Sequence, residues 1–172
     1  MQNNETVNQL SKLILQKYSS SKLLTLVAIS GAAALGKTTL AVALKNNITI
    51  NTEKIIDILP TDAFLMSRNE RNFRKISGYD PRATNIDKLC ESVGCLLEGN
   101  SVSFYPYDHY AGNTTRQLVT LMSSDILILD GIHSFHSKLR GLMDLKIFLD
   151  AKRDVAIKLR SIIDTNQRGY SY

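Results

Sequence analysis

The chain has 172 residues, 44% of them hydrophobic and 22% charged, which is enough apolar material for one buried core and excludes a disordered or collagen-like polymer. There are 21 Lys and Arg against 16 Asp and Glu, a net charge of +5 that points to an anionic partner, either a nucleic acid or a small phosphate ligand. The 2 cysteines make no disulfide framework, Met1–Glu5 lacks the basic start of a secretion signal, and the apolar stretch 23–35 is shorter than the ~20 residues of a membrane helix, so a soluble cytoplasmic protein is expected.

Val7, Leu10, Leu13, Ile14 and Tyr18 recur at helical spacing and predict an amphipathic helix within residues 1–22, packed on the domain that follows. Leu23–Ile29 is a continuous apolar run of the kind a buried parallel strand shows, and Thr38–Asn46 reads as a helix. Ile55–Leu59 predicts a second strand, ended by Pro60. Residues 66–82 form a polar excursion with at most a short helix. Its arginines at 68, 71 and 74 fit either an anion grip or a solvated face. Ile86, Leu89, Cys90, Val93, Leu96 and Leu97 share one helical face that Gly99 terminates, and Val102–Tyr105 is a short strand candidate. Asp125–Asp130 and Leu145–Leu149 read as strands, and 152–163 as a last helix. Strands alternate with helices, so the expected class is α/β, a mainly parallel sheet with helices on both faces. Nothing splits residues 23–172, which are read as a single domain.

Gly31-Ala32-Ala33-Ala34-Leu35-Gly36-Lys37-Thr38 satisfies the phosphate-loop pattern G-x-x-x-x-G-K-[ST], with a strand before it and a helix after it. Backbone N–H groups of such a loop point inward at a helix N-terminus and hold phosphate oxygens. Gly36 permits close approach, Lys37 supplies a charge for the outer phosphates, and Thr38 can ligate Mg²⁺. Thr39 completes the expected nucleotide-binding set. The interior Ala32–Leu35 is helix-prone and has no glycine or hydroxyl, which leaves the binding to backbone N–H groups. Asp130 ends the strongest strand, where a carboxylate can hold Mg²⁺ through water. Asp62 follows the second strand at the same sheet edge, where it could accept a proton from a substrate hydroxyl; alone it would be an ordinary turn residue.

Beyond the phosphate loop come Thr61-Asp62-Ala63-Phe64, Tyr79-Asp80-Pro81, Pro106-Tyr107-Asp108, Asp130-Gly131-Ile132 and Asp164-Thr165-Asn166-Gln167-Arg168-Gly169. In this order they resemble the uridine kinase, phosphoribulokinase and pantothenate kinase group of P-loop kinases, over residues 24–169. The resemblance implies the P-loop NTPase fold, ATP and Mg²⁺ as cofactors, and Asp62 as general base. It implies that Tyr79, Asp80, Tyr107, His109 and Arg116 serve the acceptor, and that Arg160 and Arg168 belong to a lid near 160–172. Three departures stand beside it. The loop interior is alanine-rich, Ile163 occupies the place of a common arginine, and the chain stops at Tyr172, where members of the group usually add a strand and helix.

The expected activity is transfer of the γ-phosphoryl group of ATP to a small hydroxyl acceptor, with a nucleoside such as uridine favoured. Pantothenate or another small alcohol is the alternative within the class, and nucleotide binding without turnover is the alternative outside it. A nucleic-acid role is disfavoured, since aromatics make up only 7% and no nucleic-acid motif is present. Cys90 and Cys95 read as core residues and not as metal ligands. Self-association stays open.

Overall fold

The computed structural model describes residues 4–18 and 23–168, the side chains of 166–168 excepted. In chain order, α1 (Asn4–Lys17), β1 (Thr25–Gly31), α2 (Lys37–Asn51) and β2 (Ile56–Pro60) are followed by a 3₁₀ turn over Thr61–Phe64 and α3 (Arg68–Phe73). A second 3₁₀ turn, Pro81–Ala83, leads into α4 (Ile86–Leu97), β3 (Val102–Phe104), β4 (Tyr107–Asp108), β5 (Asn113–Thr114) and β6 (Val119–Leu121). Then come β7 (Ile126–Asp130), α5 (Ser137–Arg140), β8 (Leu145–Leu149) and α6 (Arg153–Arg168).

The central sheet is parallel, in the order β2-β7-β1-β8. Its strands alternate sides with period two, yet the central β1 and β7 are buried on both sides, as helices on both faces require. Leu26 and Ala28 of β1 join Leu127 and Leu129 of β7 in a core with α4. Val27 and Ile29 join Ile126 and Ile128 in a second core with α1 and α2, where Val7 and Ile14 of α1 are buried. The N-terminal helix therefore packs against α2. Tyr18 anchors its end, donating to Asp125 at 3.1 Å and accepting from Lys54 at 2.9 Å. The predicted α/β class and its main elements are present. α2 runs on past Asn46 because Ile48 is fully buried, and the Thr52 hydroxyl closes the last turn on the Ile48 carbonyl at 2.8 Å. The 102–105 strand is real but stands off the main sheet, paired antiparallel with β6.

Register brings the carboxyl ends level: Ile29 lies opposite Asp130, Pro60 opposite Asp130, and Gly31 opposite Leu149. The loops after β1, β2, β7 and β8 thus meet at one edge, where ligands bind in open α/β sheets. Two glycines permit that convergence. A Cβ on Gly31 would lie 2.3 Å from the Leu149 carbonyl oxygen, and one on Gly131 would lie 1.8 Å from Thr61 Oγ1, with φ at +141° and +146° respectively. Gly131→Ala combines a forbidden φ with a clash against a fully buried threonine, and is expected to cost about 2–4 kcal/mol. A lowered urea midpoint at unchanged m-value is the measure, and a wild-type midpoint would mean that Thr61 can turn aside.

Candidate active site

The sheet edge opens into a cavity of about 640 Å³, within the range of small-molecule sites. Its floor is the loop after β1. That loop is not helical despite its alanines: Ala34 has φ of +68° and Gly36 of +84°. A left-handed alanine costs roughly 1–2 kcal/mol, so the loop carries local strain in its middle. Gly36 precedes the first turn of α2, its carbonyl accepting from the Leu40 N–H at 2.9 Å. Ala33, Ala34, Gly36, Lys37, Thr38 and Thr39 all line the cavity, while Gly31 lies beneath it, against Leu149. Lys37 folds back along the loop, its Nζ donating to the Ala32 carbonyl at 2.8 Å.

Thr38 Oγ1 donates to Asp130 Oδ2 at 2.6 Å. Asp130 is buried at 4% exposure, and burial pushes its carboxyl above the usual carboxylate range, a shift opposed by the Thr38 hydroxyl and the nearby Lys37 charge. Among the described residues, its other oxygen, Oδ1, is buried without a hydrogen-bond partner. A buried carboxylate oxygen left unsatisfied beside a threonine hydroxyl suits a hard cation or its water shell. The residues present therefore fit Mg²⁺.

Asp62 lies on the 3₁₀ turn after β2 and lines the same cavity. His109 Nε2 stands 2.9 Å from its Oδ2. Tyr107 and Tyr79 also line the cavity. Asp80 does not line it. Its side chain accepts from the Arg82 N–H, capping the Pro81–Ala83 turn, and its ion pair with the Arg82 guanidinium holds its pKa down at about 2. Arg116 is exposed beyond β5 and is also not among the lining residues. Arg160 of α6 reaches over the opening, pairing with the buried Asp164 and donating to the Tyr79 hydroxyl, with its guanidinium 5.2 Å from that ring. Arg168 ends α6, and its side chain lies outside the described residues. Ile163 faces the cavity.

Two lining residues, Arg68 and Arg71, were readable only as one of two options. Their spacing of three places them on one side of α3, but sequence does not say which side meets solvent. Arg71 donates to the Tyr107 hydroxyl at 2.9 Å and Arg68 to the His109 carbonyl at 2.5 Å, both within the cavity wall. Arg74 instead pairs with Glu70 on the exposed side at 2.7 Å. His133 is buried behind the site, 3.4 Å from the Gly78 carbonyl, and burial lowers its pKa. Cys90 and Cys95 are partly buried free thiols.

The model of the phosphoribulokinase / uridine kinase family matches residues 26–172. The chain belongs to that family. It is thus a P-loop kinase, a phosphotransferase with an alcohol acceptor, acting on a small metabolite. This kinase is 31% identical over 155 residues to a uridine kinase of Staphylococcus aureus, across 87% of the chain and 73% of that protein. It is 30% identical over 148 residues to a uridine kinase of Halalkalibacterium halodurans, across 84% of the chain and 69% of that protein. Among solved structures, a candidate fructose transport system kinase from Silicibacter superposes with a TM-score of 0.82 at 16% identity, covering 95% of this chain and 84% of that one. A candidate uridine kinase from Bacillus stearothermophilus gives 0.72 at 19% identity, over 97% and 94%. At those identities the superpositions speak for the fold alone. Among the described residues no helix is long and apolar enough to cross a membrane.

Proposed function

We propose that this kinase transfers the γ-phosphoryl group of ATP to a hydroxyl of a nucleoside such as uridine. The observation that carries the reading is the shared cavity: Asp62 opens onto the same space as Lys37, Thr38 and Asp130. Backbone N–H groups of the loop bind phosphate oxygens, and Lys37 exchanges its bond to Ala32 for the outer phosphates. Thr38 and Asp130 would hold Mg²⁺, which would supply positive charge to offset that of the phosphates. Asp62 orients the acceptor hydroxyl and takes its proton. Arg160 closes over the phosphates and keeps out water that would otherwise hydrolyse ATP.

Charge supports an uncharged acceptor. Four cationic side chains on the lining, Lys37, Arg68, Arg71 and Arg160, face the carboxylates Asp62 and Asp130. Arg160 is already paired with the buried Asp164, so the small positive surplus that remains is met by a doubly charged magnesium–ATP complex and asks for no further anion on the acceptor. Tyr79 and Tyr107 supply rings and hydroxyls suited to a sugar or base, whereas Asp80 and Arg116 hold no place on the lining.

The test is ATP consumption with uridine, cytidine, pantothenate, glycerate and no acceptor. Acceptor-dependent turnover with the nucleosides supports the reading. Turnover with pantothenate or glycerate alone reassigns the acceptor, and ATP binding without any turnover means a nucleotide-binding relative. Lys37→Ala is expected to weaken ATP binding by roughly 10–100-fold, the worth of a charge-assisted bond to phosphate. Calorimetric titration with ATP checks it, and unchanged affinity would place the phosphates elsewhere.

A further inference from the structure

We infer that His109 is a positioning residue for Asp62: its imidazole N–H holds the carboxylate of the general base in the orientation from which it takes the acceptor proton. The inference rests on the kinase reading of Asp62.

The turn that carries Asp62 is a single 3₁₀ turn, closed by the Leu65 N–H on the Asp62 carbonyl at 3.0 Å. A backbone of that length places the side chain near the cavity but leaves its two torsions to be set by contacts. The 2.9 Å approach of His109 Nε2 to Oδ2 is such a contact. It comes from a separate piece of chain that is itself held firmly. Asp108 Oδ1 accepts from the N–H groups of Tyr110 and Ala111 at 2.8 and 3.0 Å, which shapes the β4–β5 turn. Arg68 ties that turn to α3, its backbone N–H donating to the Gly112 carbonyl at 2.6 Å and its guanidinium to the His109 carbonyl at 2.5 Å. The fit there is close, since a Cβ on Gly112 would lie 2.8 Å from the Arg68 side chain. Tyr107 meets the imidazole edge-on at 5.1 Å, and its own hydroxyl is held by Arg71. The hairpin thus holds the imidazole beside a carboxylate on a short turn.

The chemistry needs no proton on His109 to move. The acceptor O–H bond breaks as its oxygen forms the new bond to phosphorus, the bond to the leaving ADP oxygen breaks, and the proton goes to the Asp62 carboxylate. Nε2–H stays on the ring throughout. A residue that only lined the acceptor pocket would act on acceptor affinity, whereas one that orients the base acts on turnover.

Kinetics of His109→Ala and His109→Gln separate these roles. His109→Ala is expected to lower kcat by about 10–100-fold, the effect of a misaligned catalytic group, with both KM values within about twofold. His109→Gln, whose amide can donate from a similar reach, should recover most of that loss. Thermal melts establish that both variants are folded. A raised acceptor KM at unchanged kcat, or a glutamine variant no better than alanine, would overturn the inference. Nitrogen-15 spectra of the imidazole give a readout independent of turnover. The Nε2 resonance should move in Asp62→Ala, as the carboxylate beside it is removed; a spectrum indifferent to Asp62 overturns the contact itself. Wild-type protein that phosphorylates no acceptor brings down the kinase reading, and this role with it. Wild-type turnover that survives His109→Ala brings down this role alone.

Discussion

Asp62→Asn should lower the rate of phosphoryl transfer by about 10²–10⁴-fold and leave ATP affinity unchanged. The substitution keeps the shape of the side chain, and its amide oxygen can still accept from His109, so the wall of the cavity is preserved while the base is lost. Transfer through a loose transition state develops little charge on the attacking oxygen until late, so much of the work of Asp62 is orientation, and the lower part of that range is the better expectation. Single-turnover kinetics with saturating ATP isolates the step. The distinguishing sign is a fall in kcat without a rise in the KM for ATP, because Asp62 faces the acceptor while Lys37 and the loop hold the phosphates. A variant retaining a tenth or more of the wild-type rate would remove Asp62 from the chemistry and leave it as a turn residue after β2.

What the sequence disclosed follows from where its constraints are local. The phosphate loop is a contiguous pattern between a strand and a helix, so Gly31, Gly36, Lys37 and Thr38 could be named outright. Asp62 and Asp130 could be named because strand ends are visible as breaks in apolar runs, and parallel strands bring their carboxyl ends together. Tertiary placement decided the rest. Asp80 has the right neighbours in sequence, but Arg82 two residues on captures its carboxylate, a contact between adjacent turn residues that motif matching does not weigh. Arg68 and Arg71 are indistinguishable from Arg74 until the β4–β5 hairpin lies against α3. That hairpin was itself invisible, since paired strands of two residues leave no periodicity to read. The left-handed Ala34 was hidden for a similar reason. Alanine favours helix, yet the loop that starts at Gly31, packed against Leu149, holds Ala34 left-handed.

Asp130→Asn should damage activity and stabilise the protein at once. The carboxylate is buried, and the polar partner it has, the Thr38 hydroxyl, satisfies one oxygen and not the other. A charge in that position is disfavoured by desolvation, which is why its pKa lies above the ordinary range. The sign of the linkage follows. A carboxyl whose folded-state pKa exceeds its unfolded value favours folding fully below the unfolded value, and that contribution is lost as pH rises through the folded one. Near neutral pH the wild-type protein therefore bears the cost of the buried charge. An asparagine of the same shape keeps the bond from Thr38 and removes the charge, so the ligand-free variant should melt about 2–4 °C higher at pH 7. The gap should close as pH falls below the usual carboxylate range, where Asp130 is protonated in both states. With Mg²⁺ and ATP added the order reverses, because the wild type gains stability from a bound complex that the variant holds poorly. Turnover in the variant is expected to fall by roughly 10²–10³-fold. Melting curves at pH 4 and 7, with and without magnesium–ATP, test each part separately. A variant that melts lower than wild type at pH 7 without ligand would mean that the neighbouring Lys37 charge outweighs burial, and that Asp130 is held for the fold and not for a cation.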